Sequence, residues 1–302
     1  YMRDEKFFKA TYPTGIRPQG KDIVRTWLYY TILRCYLLTG KPPFKEVWIS
    51  GTGLDERGIK MSKSRGNVID PIPILKKYGA DVFRFWSAQE ASLGEDFRIS
   101  EQRIASAGRF LTKLWNIARY ISSFPRPRKA KLTPTDRWIL GELTLTAKRC
   151  LEGYKDYNFF IPATTIRDFT WNLFADHYIE MCKPRAYGSG FNREEQRAAW
   201  FTLHEVLRTI LLLSAPIIPF ITDEIWRRLY SKKSIHVQEF PRVRWRTTYT
   251  KYTEDIVEFN SRIWRMKKER GLSLRSPIKA EIPRRLKPFR KDLIAMHNIV
   301  AG

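Results

Sequence analysis

From Gly58 to Asn67 the chain reads Gly-Ile-Lys-Met-Ser-Lys-Ser-Arg-Gly-Asn, two lysines and two serines set between glycines. Lysine ammonium groups are compact cations on flexible stems, suited to neutralising phosphate as point charges. Glycines at 51, 53, 58 and 66 permit positive φ and let the backbone approach a ligand closely. The segment therefore describes a mobile loop that could hold phosphate; a solvated basic turn is the alternative that any K-x-x-K in a basic protein leaves open. Upstream, Asp22 follows Gly20 at the start of a helical pattern. A carboxylate there can reach a ribose hydroxyl or simply cap the helix, and position alone does not choose between the two.

Such residues need a scaffold, and the flanking sequence supplies one. Thr11 to Ile16 is a short β-like approach that ends in Arg17-Pro18-Gln19-Gly20, a turn signal. From Lys21 to Thr39, apolar residues recur at spacings of three and four (Ile23, Val24, Trp27, Leu28, Tyr30, Ile32, Leu33, Tyr36, Leu37), which predicts a helix. Gly40 and Pro42-Pro43 stop it. Val47-Trp48-Ile49 is continuous rather than alternating, as in a parallel strand buried on both faces. Strand, helix, strand is a βαβ unit, whose ligands sit beyond the carboxyl ends of its strands. The lysine loop begins at that end.

Lys60-Met61-Ser62-Lys63-Ser64 matches the KMSKS signature of class I aminoacyl-tRNA synthetases letter for letter. The blocks Arg17-Pro18-Gln19-Gly20-x-Asp22-Ile23-Val24-Arg25-Thr26-Trp27, Arg65-Gly66-Asn67-Val68-Ile69, Tyr78-Gly79-Ala80-Asp81 and Lys113-Leu114-Trp115-Asn116 resemble the valyl branch of that family, in its archaeal form. The isoleucyl and leucyl branches share the architecture and stand as alternatives, as does a non-catalytic RNA-binding protein of synthetase descent. The resemblance runs from about residue 11 to the C-terminus. It implies that Lys60 and Lys63, the catalytic candidates, grip the phosphates of ATP carried with Mg2+, while valine attacks the α-phosphorus. Pre-placed cations act there on charge that builds in the transition state. Ser62 and Ser64 would donate hydrogen bonds and Met61 would hold the loop against the nucleotide. Gly20 would pass close to the adenosine, Asp22 would bind the ribose, and Trp27 would line the amino-acid pocket, a core aromatic being the alternative. Class I enzymes carry a second signature, H-x-G-H, which the histidines at 177, 204, 236 and 297 do not form. The resemblance thus implies that the first nucleotide half and the editing domain are not in this sequence, and that the chain alone forms no valyl-adenylate.

Beyond the loop, Asp70-Pro71 is an N-cap and N1 pair for a short helix through Lys76, and Ala80 to Trp86 is a second apolar segment. Ser100 can cap a long helix to about Ser122 with an apolar stripe of Ile104, Ala107, Phe110, Leu111, Leu114, Trp115, Ile117 and Ala118. The stretch 124–131, rich in proline and charge, is a surface connection, and periodic helices follow at roughly 134–153, 158–182, 193–214 and 218–230. Helices of that length with short joints form a bundle. Its aromatics, Trp138, Phe169, Trp171, Phe174 and Trp200, are read as core packing; the resemblance makes the bundle an anticodon-binding surface. From Arg262 to Lys291 twelve Lys or Arg stand against two acids. A helix from about Tyr252 ends in Lys267-Lys268-Glu269-Arg270, Gly271 stops it, and Ile278 to Ile282 alternates as a strand before a second short helical segment flanked by Arg284-Arg285 and Arg290-Lys291. Lys267, Lys268, Arg270, Arg284 and Arg285 are the candidates for contact with tRNA backbone, which gives affinity without sequence reading.

The 302 residues, 43% hydrophobic, suit a folded chain of two or three domains, and a net charge of +24 points to a polyanionic partner. No apolar run reaches the roughly 18 residues of a membrane span, and the chain is expected to be cytoplasmic and monomeric. Cys35, Cys150 and Cys182 are widely spaced, so they are expected to be core thiols rather than a disulfide or a structural metal site. The expected class is the α/β second half of a Rossmann-like nucleotide-binding domain (1–69), stem-contact helices (70–99), a mainly α-helical bundle (100–235) and the start of a small basic α/β domain (236–302). The expected partners are tRNA(Val), ATP and valine.

Overall fold

The computed structural model describes residues 3–300. A short helix α1 (Glu5–Thr11), capped by the Asp4 side chain, precedes strand β1 (Thr14–Gly20). The expected turn at Arg17-Pro18-Gln19-Gly20 is instead the end of that strand. Pro18 is tolerated because the strand has a single partner, so half of its backbone positions face away from the ladder. The chain then turns through a 3-10 segment Lys21–Ile23 and a π-type turn Val24–Leu28 before regular helix α2 (Tyr29–Thr39). Gly40 ends α2 with φ +70°. Strand β2 (Phe44–Ser50) lies parallel to β1, with Arg17 opposite Val47 and Gly20 opposite Ser50. Val47, Trp48 and Ile49 are half-buried rather than buried, because this sheet has two strands only. The apolar stripe of α2 is likewise largely exposed, Leu37 by 74%.

Past β2 a second parallel pair forms between β3 (Gly53–Leu54) and β4 (Phe97–Arg98). Between them lie α3 (Pro71–Tyr78), capped by Asp70 accepting from Ile72 N, and α4 (Ala80–Glu90). Helix α5 (Glu101–Ser122) buries the expected stripe except Trp115, which stays 37% exposed. Ser100 occupies the N-cap but its hydroxyl makes no capping bond. The bundle continues with α6 (Pro134–Lys155), started by a Thr133/Asp136 capping box, then one helical run 160–186. That run comprises α7 (Phe160–Asp168), a π-wound middle Phe169–Ile179 and α8 (Glu180–Ala186). Helices α9 (Arg193–Ser214) and α10 (Pro219–Leu229) complete it. Trp138, Phe169 and Phe174 are core residues, while Trp171 and Trp200 pack at its edge.

Helix α4 docks on the bundle through polar contacts at the break before α10. The Asp81 carboxylate accepts from Phe220 N and Ile221 N, and Arg84 donates to the carbonyls of Pro216 and Ile217 at 2.9 and 2.8 Å. Asp81 is pushed up from the usual carboxylate range by burial. The last elements are α11 (Thr253–Glu269), β5 (Ile278–Lys279), a 3-10 turn Arg284–Phe289, α12 (Arg290–His297) and β6 (Ile299–Val300). The alternating stretch 278–282 gives only a two-residue strand, paired in parallel with β6. Arg185 of α8 is fully buried and bridges two carboxylates: Asp136 of α6, at 2.8 Å from both terminal guanidinium nitrogens, and Asp292 of α12, at 3.1 Å from Nε. Burial pushes Asp136 up, yet the Arg185 charge and its hydrogen bonds outweigh that and hold the carboxyl below its usual range. Cys150 and Cys182 are buried, whereas Cys35 on α2 is only half-buried, so it is not the core thiol expected.

Candidate functional site

The parallel strands β1 and β2 end side by side at Gly20 and Ser50, where the Ser50 hydroxyl donates to Gln19 O at 3.2 Å. Three of the candidates, Gly20, Asp22 and Lys60, meet at that end. Asp22 lies one residue into the 3-10 turn after Gly20, and its Oδ2 accepts from Lys60 Nζ at 2.6 Å. Both side chains are about half exposed, so the pair is screened and easily parted. Gly51 and Gly53 do not take positive φ; Gly58 and Gly66 do, at +81° and +66°. Gly51 has a different reason to be glycine: a Cβ there would lie 1.7 Å from Glu95 O, so only glycine lets the 95–96 backbone cross it.

The lysine loop is held by residues that the sequence motif alone did not mark. Asp55 Oδ1 accepts from the amides of Arg57 and Ile59, and its Oδ2 accepts from Asn67 Nδ2 at 2.9 Å. Asn67 also donates to Lys60 O and accepts from Ser62 N at 2.9 Å, so it spans the loop from both ends. The Asn67 and backbone hydrogen bonds hold the Asp55 carboxyl below its usual range. The Met61 methyl group folds over Gly53 of β3, pinning the loop to the sheet. Ser62 and Ser64 hydroxyls sit 3.2 Å apart, and Lys63 opens a 3-10 turn Lys63–Arg65 with its ammonium exposed. Asp96 fixes the neighbouring turn, accepting from Thr52 N at 2.7 Å and pairing with Lys21 at 2.7 Å; the Lys21 contact lowers its pKa. Short-range Asx signals such as Asp55-x-Arg57 were visible in the sequence, but the partnership of Asp55 with Asn67 was not.

Trp27 is neither in the core nor enclosed: it is 41% exposed, stacked against Phe44 at 6.4 Å, with the Arg17 guanidinium 4.1 Å above its ring. Gln19, at the end of β1, is 7% exposed, and neither its side-chain nitrogen Nε2 nor its side-chain oxygen Oε1 has a partner among the described residues. No group of three or more His, Cys, Asp or Glu able to hold a metal occurs among the described residues. Chemically the site offers Lys60 and a carboxylate at the carboxyl end of parallel strands, with Lys63 exposed three residues on in the same loop, groups whose chemistry suits phosphates and a ribose.

The second set of candidates divides. Lys268, Arg270 and Arg284 are exposed and make no ion pair among the described residues. Arg285 is exposed but pairs with Asp255 at 3.0 Å. Lys267 is a correction: it is fully buried, and its ammonium donates to Leu274 O at 2.6 Å and His297 O at 2.8 Å. The lysine closes the loop between α11 and β5 onto α12, so it does not face a polyanion. Burial lowers its pKa. Beside it Asn260 joins two histidines, at 3.1 Å from His177 Nδ1 and 2.8 Å from His297 Nε2.

Among the described residues no helix is long and apolar enough to cross a membrane. Two family models match the chain: "tRNA synthetases class I (I, L, M and V)" over residues 2–100 and "Anticodon-binding domain of tRNA ligase" over residues 136–282. Valine–tRNA ligase of Aeropyrum pernix is 44% identical across 98% of this chain, and that of Pyrobaculum aerophilum 45% across 98%; the chain spans 37% and 38% of their lengths. Nanoarchaeum equitans valine–tRNA ligase is 41% identical over 94% of the chain and 37% of its own length. Among solved structures, a leucyl-tRNA synthetase of Agrobacterium radiobacter K84, in a ternary complex with tRNA and LeuAMS, is 20% identical, with a TM-score of 0.61 over 76% of this chain and 29% of that one, and shares the fold. With a class I synthetase segment bearing the lysine loop, an anticodon-binding segment on the helical bundle and archaeal valine–tRNA ligases similar along nearly its whole length, the chain belongs to the class I tRNA synthetases, in the valine–tRNA ligase branch.

Proposed function

We propose that this chain supplies the lysine-loop half of the ATP site and the tRNA-binding bundle of a valine–tRNA ligase. The observation that carries the reading is the convergence of Asp22 and Lys60, 2.6 Å apart where two parallel strands end. In this reading the ion pair is a resting contact. ATP replaces it: the ribose hydroxyls take the Asp22 carboxylate, and the triphosphate takes Lys60 and Lys63. A valine carboxylate oxygen then bonds to the α-phosphorus as the bond to the bridging oxygen breaks, and pyrophosphate leaves with its electron pair. The two ammonium groups oppose the charge that accumulates on it. A ribose hydroxyl of tRNA(Val) next attacks the acyl carbon, the bond from that carbon to the phosphate oxygen breaks, and AMP departs with the bonding pair and the hydroxyl proton. Mg2+ would enter this site on the triphosphate oxygens and offset their charge, since among the described residues no group of three or more His, Cys, Asp or Glu stands there to hold it. Gly20 and Ser62 to Ser64 line the nucleotide, and Trp27, stacked under Arg17, edges the amino-acid side. The exposed cations Lys268, Arg270 and Arg284 meet tRNA backbone. The sequence ranges 1–69, 70–99, 100–235 and 236–302 are the corresponding functional segments, and the protein works as a cytoplasmic monomer.

The test is fluorescence anisotropy of this chain with tRNA(Val) and with the same tRNA carrying altered anticodon bases, across a salt series. Weaker binding of the altered tRNA at every salt is the expected result. Equal, salt-sensitive binding of both would leave a basic surface and defeat the recognition claim. The lysine assignment is tested separately, by grafting this chain in place of the matching part of Aeropyrum pernix valine–tRNA ligase: Lys63→Met should lower valine-dependent pyrophosphate exchange by about a hundredfold or more.

A further inference from the structure

The most concentrated charge in the sequence lies at 262–291, and the structure sets a second group of cations around a cavity beside it, where the Tyr249 ring meets Phe289 edge-on at 6.1 Å. The segment after α10 runs back across the first turns of α6 and encloses a space of about 520 Å³. Arg137 from α6 and Arg244 and Arg246 from the crossing segment stand around it, with Trp245 and Tyr249 as walls. All three arginines are exposed, and among the described residues none makes an ion pair or a side-chain hydrogen bond. Leu132 brings the connection from α5 to the same cavity, and Arg128, Lys129 and Lys131 immediately precede it, all exposed. Asp136, the acid beside Arg137, is buried and committed to Arg185. Guanidinium groups left without carboxylates around a cavity repel one another unless an anion is present.

The walls are held in place. Trp245 N donates to Thr144 Oγ1 at 3.0 Å, and its ring meets Phe201 edge-on at 6.2 Å. Gly141, in the middle of α6, is what lets the segment sit down: a Cβ there would lie 3.1 Å from Arg246 O and 3.0 Å from the Thr250 methyl. A glycine inside a helix costs about 1 kcal/mol relative to alanine, so the close crossing has a reason in the packing. The Trp245 indole N–H and the Tyr249 hydroxyl have no hydrogen-bond partner among the described residues, which leaves two donors at the rim beside the aromatic faces. Aromatic faces beside free guanidinium groups are the arrangement that takes an unstacked base and its flanking phosphates, and the volume falls within the range of about 300–1,000 Å³ that small-molecule sites occupy.

We propose that this cavity takes one unpaired nucleotide of a bound RNA, its base against Trp245 and Tyr249 and its phosphates on Arg137, Arg244 and Arg246. The inference rests on the tRNA-binding reading for the identity of that RNA, but not for its chemistry. It is tested by anisotropy with three labelled probes: a tRNA(Val) transcript, a 12-nucleotide single-stranded RNA and an RNA duplex. The double variant Arg244→Ala/Arg246→Ala, and separately Arg137→Ala, should lower the salt slope on single-stranded RNA by about 0.7 per arginine. Trp245→Leu should weaken binding of the single strand and of tRNA by about five- to tenfold with the slope unchanged, and leave duplex binding unchanged, since a paired base cannot enter. Thermal unfolding of the arginine variants should match that of the unaltered chain. Unchanged affinity and slope in the arginine variants, or a Trp245→Leu loss equal on duplex and single strand, would overturn the proposal. Failure of the unaltered chain to bind tRNA while it binds the 12-mer, with these same variant effects, would overturn the tRNA reading and sustain the cavity. Displacement of the 12-mer by AMP or UMP at micromolar concentration would show a site for free mononucleotides and overturn the assignment to RNA.

Discussion

Lys267 provides the sharpest separation between a charged surface and a charged joint. Its ammonium is buried and donates to two main-chain carbonyls, Leu274 O and His297 O. In Lys267→Met the aliphatic stem is kept and both donors are lost. The His297 carbonyl, left unsatisfied in the interior, costs about 1–3 kcal/mol, and the Leu274 carbonyl, on a residue 60% exposed, costs less. Relief from burying a cation returns part of that, so the net loss is about 2 kcal/mol. In a chain of this size that lowers Tm by about 4 °C. Its neighbour Lys268 is exposed and unpaired, and Lys268→Met should change stability by less than about 0.5 kcal/mol. Differential scanning calorimetry of the two variants, with tRNA anisotropy on each at a temperature where both are folded, reads the contrast. Lys268→Met should weaken binding and shallow its salt slope; Lys267→Met should leave both as they are. A Lys267→Met protein with unaltered Tm and reduced tRNA affinity would refute the reasoning and return the residue to the interface.

The remaining expectations concern acid, the loop and its hinge. Burial, helped by Lys267 and His177, pushes His297 down from 6.5 to about 4. Between those values the unfolded chain binds a proton that the folded chain does not, so the stability contributed above pH 6.5 is lost as pH falls toward 4, by up to about 3 kcal/mol for this ring. Urea midpoints at pH 7, 5.5 and 4.5 should fall steadily, and less steeply in His297→Gln; parallel slopes would exclude His297 as the cause. Asn67→Ala removes the acceptor of the Ser62 amide and two donated bonds, which should speed hydrogen exchange of that amide by about tenfold; an unchanged rate would show that Asn67 does not brace the loop. Gly51→Ala forces the 95–96 backbone away from β2 and should cost about 1–3 kcal/mol, seen as faster proteolysis between residues 50 and 100, whereas an unaltered digestion pattern would argue that the crossing relaxes freely.

The helices of the bundle were legible because each carries a long apolar period, and α6 and α9 open on a capping box. Asp70-Pro71, Thr133-Pro134 and Asn192 with Glu195 cap as their types suggest. The lysine motif was equally plain, since a contiguous string needs no tertiary partner to be seen. Contacts distant in sequence were hidden. Lys267 looked like its neighbours because a sequence cannot show which side of α11 meets α12. The turn signal at Arg17-Pro18-Gln19-Gly20 misled because local proline and glycine chemistry yields to strand pairing with β2. The exposed face of α2 ran against its apolar period, because periodicity states what could be covered and not whether a partner is there.

The Arg185 bridge constrains how this protein could be dissected. Asp136 and Asp292 are separated by most of the bundle in sequence, yet both neutralise one guanidinium at the centre of α6, α8 and α12. Severing the chain at the 235/236 joint would take Asp292 from the guanidinium and leave Asp136 as its one carboxylate, and loss of that charge-assisted bond costs about 1.5–3 kcal/mol. The two pieces would therefore be poor independent folding units. Melting should be shared: whatever loosens the basic C-terminal helix also loosens the bundle it is bolted to, and a ligand that steadies one steadies the other.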